Sequence, residues 1–97
     1  MPEMTFTSQW PDGRRLASYS PSLVVHDHLD AGQTYEVADF VARAETALRL
    51  ASDRVQAKFG RPCSLAAASI ASIHAVAAAC PVGPVNVVSL TPPREGR

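Results

Sequence analysis

Residues 37–60 read Val37-Ala38-Asp39-Phe40-Val41-Ala42-Arg43-Ala44-Glu45-Thr46-Ala47-Leu48-Arg49-Leu50-Ala51-Ser52-Asp53-Arg54-Val55-Gln56-Ala57-Lys58-Phe59-Gly60, and this stretch decides the fold. Val37, Phe40, Val41, Ala44, Leu48, Ala51, Val55 and Phe59 recur at steps of three and four, which draws one apolar stripe along a helix. The opposite face carries Asp39 with Arg43 and Glu45 with Arg49. Each is an acid four residues before a base, the orientation that supports a helix. Gly60 stands where a left-handed cap belongs, and Pro62 prevents continuation.

Towards the C-terminus, Cys63-Ser64 starts a second helix that runs to about Ala79. It is mostly Ala, with Leu65, Ile70, Ile73 and Val76 as its larger members. Small residues on nearly every face let neighbours approach closely, which predicts packing on more than one side. Pro81-Val82-Gly83-Pro84 breaks this helix, Val85 to Leu90 reads as a strand, and Pro92 onward reads as a flexible tail.

Towards the N-terminus, Met4, Phe6, Ser8 and Trp10 alternate with Thr5, Thr7 and Gln9, as in a strand. Pro11-Asp12-Gly13 is a turn signal, because Pro presets φ and Gly supplies positive φ. Arg14 to Tyr19 returns as a second strand, with Leu16 and Ser18 opposite Ala17 and Tyr19. Ser20-Pro21 resembles a cap followed by a first helical Pro, so a short helical turn to Leu29 is expected, although Leu23-Val24-Val25 suits an extended segment equally. Gln33-Thr34-Tyr35 leads into the main helix.

The expected architecture is α+β: a three-stranded, mostly antiparallel sheet with two main helices, in the order β-β-(short α)-α-α-β. Residues 1–91 form a single domain and residues 92–97 its tail. The main helix covers one sheet face, and the other must be polar or covered by a partner. Three strands leave exposed edges and the Ala-rich helix offers a smooth surface, so a homodimer is expected.

Composition narrows the function classes. The chain has 97 residues, 46% hydrophobic and 19% charged, which describes one globular domain with one modest core. Its formal net charge is +0, without the basic excess that a nucleic-acid partner usually requires. No run approaches the roughly 20 apolar residues of a membrane span, and the first residues lack a signal-peptide pattern, so a cytoplasmic protein with reduced thiols is expected. Eight of the nine basic residues are Arg, a bias that fits genome composition better than an anion site.

Two places carry candidate chemistry. His26-Asp27-His28-Leu29-Asp30 offers ligand types that suit a divalent metal. Within a helix His26 and His28 do not share a face, and His26 with Asp30, four residues apart, is the better pair, so these two are the candidate metal ligands; the competing reading is a solvated polar turn. Cys63 follows Arg61 and opens the second helix, where unpaired N–H groups and a cation both favour thiolate. That makes Cys63 the candidate catalytic nucleophile, against the reading of a small capping or buried residue. Cys80 closes the same helix. Seventeen residues of helix at about 1.5 Å each place the two cysteines roughly 25 Å apart, too far for a disulfide. His74 reads as a core-edge histidine, and Arg43, Arg49 and Arg54 as solvated ion-pair partners. The sequence points to no particular cofactor.

Taken together, Met1-Pro2-Glu3-Met4-Thr5-Phe6, Trp10-Pro11-Asp12-Gly13, Tyr19-Ser20-Pro21-Ser22-Leu23-Val24-Val25, Ala38-Asp39-Phe40-Val41, Lys58-Phe59-Gly60 and Cys63-Ser64 are fairly specific. Through them the chain resembles the small nitrogen-starvation-response family described in mycobacteria, over residues 1 to about 92. The resemblance implies context rather than mechanism: gene clusters that also encode a nitrilase, a radical-SAM-type enzyme, an acetyltransferase, an aminoimidazole-ribotide-synthase-like protein and a flavoprotein. Such clusters are linked to nitrogen limitation and to cyanide or nitrile assimilation. Arg61-Pro62 departs from the aromatic or aliphatic residue expected before Cys63, and the resemblance transfers no catalytic residue. The expected function is an accessory or binding protein whose partners are enzymes of that cluster. A small enzyme using Cys63 or a His/Asp pair is the rival, and neutral charge disfavours a DNA-binding regulator.

Overall fold

The computed structural model describes residues 2–93. Strands β1 (Met4–Gln9) and β2 (Arg15–Ser20) form the expected hairpin, with Met4 opposite Ser20 and Gln9 opposite Arg15. The turn closes through the Gly13 amide on the Trp10 carbonyl and the Arg14 amide on the Asp12 carboxylate. A short 3-10 helix, Leu23–Asp27, follows; Ser22 caps it by accepting the Val24 amide. The cap lies two residues later than the sequence suggested, because Ser20 still belongs to β2.

The sheet has four strands, one more than the sequence predicts. Thr34–Glu36 forms β3 at one edge, and Pro84–Thr91 forms β4. The order is β2-β1-β4-β3, antiparallel throughout. Three residues are too few to show the alternation that marks a strand. β3 is fixed instead by its partner, with Thr34 opposite Asn86 and Tyr35 opposite Val85. The register between β1 and β4 shifts beyond Thr7, where Val88 adds a residue to β4. That bulge keeps both Val87 and Leu90 on the inner face.

Helix α1 (Val37–Phe59) and helix α2 (Ser64–Ala79) agree with the sequence reading. Gly60 ends α1 at φ +85°, in the left-handed region, and its amide returns to the Gln56 carbonyl. Phe40, Ala44, Leu48 and Ala51 bury completely, with Phe6, Met4, Trp10, Val25, Leu29, Val85 and Val87 closing around the first three. Trp10 meets Phe40 edge to face at 5.4 Å, and its indole N–H donates to the buried Ser8 hydroxyl. Gly83 sits at φ +119°, and a Cβ there would lie 2.9 Å from the Pro11 ring, so only glycine lets the β4 entry pass the hairpin turn. The outer sheet face carries Thr5, Thr7, Gln9, Ala17 and Asn86, the polar outcome the sequence allowed.

One expectation about the helices changes. The stripe of α1 continues past the core: Val55 is half-buried and Phe59 is 62% exposed, because the helix overshoots the sheet. α2 meets two neighbours, as its small residues suggest, though much of its surface stays open. It packs beside α1 and along the edge of β2, burying Ala66, Ser69 and Ile73, while Leu65, Ala68, Ala71, Ala75 and Ala78 face solvent.

Candidate functional site

Where α1 and α2 diverge near their connection, a cleft of about 400 Å³ opens. Arg49, Ser52, Asp53 and Gln56 form the α1 wall; Pro62, Cys63, Ser64, Ala67 and Ile70 form the other. The helical periods explain this gathering. Arg49, Ser52, Asp53 and Gln56 are spaced three, one and three apart on the flank of α1, and Cys63, Ala67 and Ile70 are four and three apart on α2. Alanine at 67 supplies the room, because a larger side chain there would fill the cleft. Clefts of roughly 300–1,000 Å³ with a few convergent polar groups are the usual size for small-molecule sites.

Cys63 is the N-cap of α2, half-buried, with a free thiol. It caps with its backbone only, and its own amide donates to the Ser52 hydroxyl at 3.2 Å, tying the two walls together. Cys80 is free as well, and it is buried. No histidine belongs to the cleft wall. His74 lies eleven residues along from Cys63, about 16 Å at the helical rise. A direct Cys63–His74 pair is therefore outside reach while α2 is intact.

Tyr19 stands beside this end of α2. Burial pushes its hydroxyl pKa up, the hydrogen bond to Glu3 adds to the rise, and Cys63 contributes more weakly. The Tyr19 hydroxyl donates to the Glu3 carboxylate at 3.1 Å. One turn further along the seam, His74 Nε2 lies 2.7 Å from Glu45 Oε1, and Arg49 Nε donates to Glu45 Oε2 at 2.8 Å. The Arg49 hydrogen bond first, and the His74 contact second, hold the Glu45 carboxyl below its ordinary value. His74 is thus an exposed residue in contact with Glu45 and not the core-edge histidine that its apolar neighbours suggest.

The candidate metal pair is placed differently from the helical geometry that motivated it. The 3-10 helix ends at Asp27, so Asp30 lies beyond it, and the i,i+4 relation to His26 does not apply. His26 is buried, with Nε2 3.0 Å from the Pro92 carbonyl, while Asp30 is exposed and its amide donates to the Tyr35 hydroxyl. Among the described residues, no group of three or more His, Cys, Asp or Glu gathers around a common point. The contact to Pro92 also draws the first residue of the expected tail against the body; residues 94–97 lie outside the described residues.

Arg43 bonds Asp39 and the His28 carbonyl and stacks over the Tyr35 ring at 4.9 Å, and Arg54 donates to Ser22. Both brace the 3-10 segment against α1. Sequence reasoning named Cys63 but missed the opposing wall, because Ser52, Asp53 and Gln56 carry no motif. The one available signal was that these polar residues fall on the flank of a stripe ending at an αL glycine.

The fold and the cleft together define a small α+β protein with a helical hairpin laid on one face of an antiparallel sheet, open at the hairpin's seam. The family model described as nitrogen starvation-induced protein NitG matches residues 5–91, and the chain belongs to that family. No curated protein and no solved structure gives a match. No helix is long and apolar enough to cross a membrane among the described residues.

Proposed function

We propose that this protein serves the nitrogen-starvation response as a binding or accessory protein, and that the α1–α2 cleft is its working surface. The observation that carries this reading is the convergence of unpaired polar side chains on one cleft. Among the described residues, Asp53 and Gln56 make no side-chain hydrogen bond or ion pair with the rest of the chain, yet they face the same space as the free Cys63 thiol. Groups left available around a cleft of this size suit a ligand. In this proposal the partners are enzymes of a nitrilase-type gene cluster and the setting is the cytoplasm.

The rival reading is a small enzyme that uses Cys63 as nucleophile; its support is the position of the thiol in the cleft wall. A further part of the proposal is a homodimer, for which one of two sequence arguments survives. The β2 edge is capped at Tyr19 by Ser69 and β3 is only three residues long, so neither edge invites pairing. The outward face of α2 remains, within a stretch from Pro62 to Pro93 that contains no Asp, Glu, Lys or Arg. An uncharged face is compatible with itself across a two-fold axis.

The test is affinity capture from nitrogen-starved cells, with mass spectrometry of proteins and small molecules, using the native chain, Cys63→Ser and the cleft-filling Ala67→Trp. The accessory reading expects the same captured set with native protein and Cys63→Ser, and its loss with Ala67→Trp. Identical capture by all three would remove the cleft from the function. Turnover of a captured small molecule that Cys63→Ser abolishes would establish the enzyme instead.

A further inference from the structure

The cleft pairs opposite charges on one wall. Arg49 and Asp53 are one turn apart on α1, which separates their Cβ atoms by roughly 5–6 Å, yet they do not pair with each other. Arg49 is directed back along the helix and bonds Glu45 through Nε and Nη2. A guanidinium presents five donors, so its Nη1 edge stays available. Asp53 is exposed and makes no ion pair or hydrogen bond among the described residues. Across from them the α2 wall is apolar at Ala67 and Ile70.

We infer that the cleft binds a small zwitterion of the α-amino-acid class, with its carboxylate on Arg49, its ammonium on Asp53, and an aliphatic side chain against Ala67 and Ile70. This inference rests on the reading of the cleft as the working surface and adds its ligand class. A purely anionic ligand would meet the Asp53 carboxylate, and a purely cationic one would leave the free Nη1 edge of Arg49 unused. A ligand carrying both signs can use the free Nη1 edge of Arg49 and the Asp53 carboxylate together, while Arg49 keeps its bond to Glu45. A volume of about 400 Å³ leaves space for such a molecule with retained water.

The experiment uses the purified full chain and three probes, L-leucine, leucinamide and N-acetyl-leucine, followed by amide chemical shifts and by protection of Cys63 from iodoacetamide. L-leucine should shift the resonances of Arg49, Asp53 and Ala67 and slow alkylation of Cys63. Each blocked analogue should bind at least about tenfold more weakly, the lower end expected for one lost charge-assisted hydrogen bond. Asp53→Asn, which removes no intramolecular bond, should erase the preference for L-leucine over N-acetyl-leucine. Arg49→Gln should erase the preference over leucinamide. Equal binding of the three probes, or no shift at Asp53 and Arg49 with any proteinogenic amino acid at millimolar concentration, would overturn the inference. Capture from cells that still depends on an open cleft would then leave the working surface standing and remove only the ligand class.

Discussion

The Ser69 hydroxyl closes both backbone groups of Tyr19: it accepts the Tyr19 amide at 3.2 Å and donates to the Tyr19 carbonyl at 2.7 Å. A single helical side chain thereby stands in for the missing strand beside β2. Ser69 is 8% exposed, so little water can replace it. Ser69→Ala leaves a partly buried donor and acceptor facing a methyl group, at a cost of about 1 kcal/mol, the low end of the range for an unsatisfied buried group. Urea unfolding should show this loss, and hydrogen exchange should accelerate at Tyr19 more than at Phe6 on the inner strand. Unchanged exchange at Tyr19 would mean that the edge is protected by something else.

Leu48 and Phe59 lie on the same sequence stripe but have different surroundings. Leu48 is fully buried and Phe59 is 62% exposed. Leu48→Ala should cost about 2–5 kcal/mol, the range for large-to-small changes in a packed core. Phe59→Ala should stay within about 0.5 kcal/mol, as for surface positions. Chemical denaturation of both variants under one condition checks the contrast, and equal losses would place Phe59 against a neighbour.

The difference between those two residues shows where sequence reasoning stops. Periodicity defines which side of α1 is apolar and identified the helix, while turn chemistry marked its αL glycine cap at Gly60 and the hairpin through Gly13. It cannot tell where the opposing sheet ends, which is a property of partners far away in sequence. The same blindness hid β3, whose three residues pair with β4 some 50 positions later. In the site, Cys63 was legible because a thiol at a helix start carries its own chemistry. Asp53 and Gln56 were not, since their meaning depends on the angle at which α2 returns beside α1.

Glu45 joins α1 to α2 through His74, and its carboxyl pKa lies below the ordinary value because of Arg49 first and His74 second. A carboxyl depressed in the folded state takes up its proton first in the unfolded state as pH falls. The stabilisation is therefore present above the ordinary glutamate range, near pH ~4.3, and is lost as pH drops through the folded value. Glu45→Gln should lower stability at neutral pH by less than about 1 kcal/mol, since the groups are solvated. Urea midpoints of native and variant protein should converge on acidification and also at high salt. A difference that grows below pH ~4 would contradict this account of the pair.

A homodimer is distinguished by its mass. Light scattering at high micromolar concentration should give twice the chain mass of 10.3 kDa. Ala71→Glu, on the exposed pole of α2, should return the protein to monomer without changing its circular dichroism. A monomer mass for the native chain would end the proposal.

The two thiols offer a test of the cleft that needs no ligand. Cys63 is half-buried in the cleft wall, whereas Cys80 is 8% exposed and enclosed at the end of α2, close enough to Asp12 to help keep that carboxylate ionised after the main contribution of the Arg14 amide. Reaction with iodoacetamide requires a thiolate and access to it, and burial in folded protein removes access. Cys63 should therefore be alkylated first under native conditions, while Cys80 should react at a rate set by unfolding and accelerate in urea. Ala67→Trp should slow Cys63 and leave Cys80 unchanged, because only the first thiol shares the filled space. Peptide mass spectrometry resolves the two sites over time. If both cysteines react at one rate in folded protein, or if Ala67→Trp leaves Cys63 as reactive as before, the thiol does not open into the cleft. The nucleophile reading would then lose its only structural support, and the ligand would have to be sought without Cys63 as its reporter.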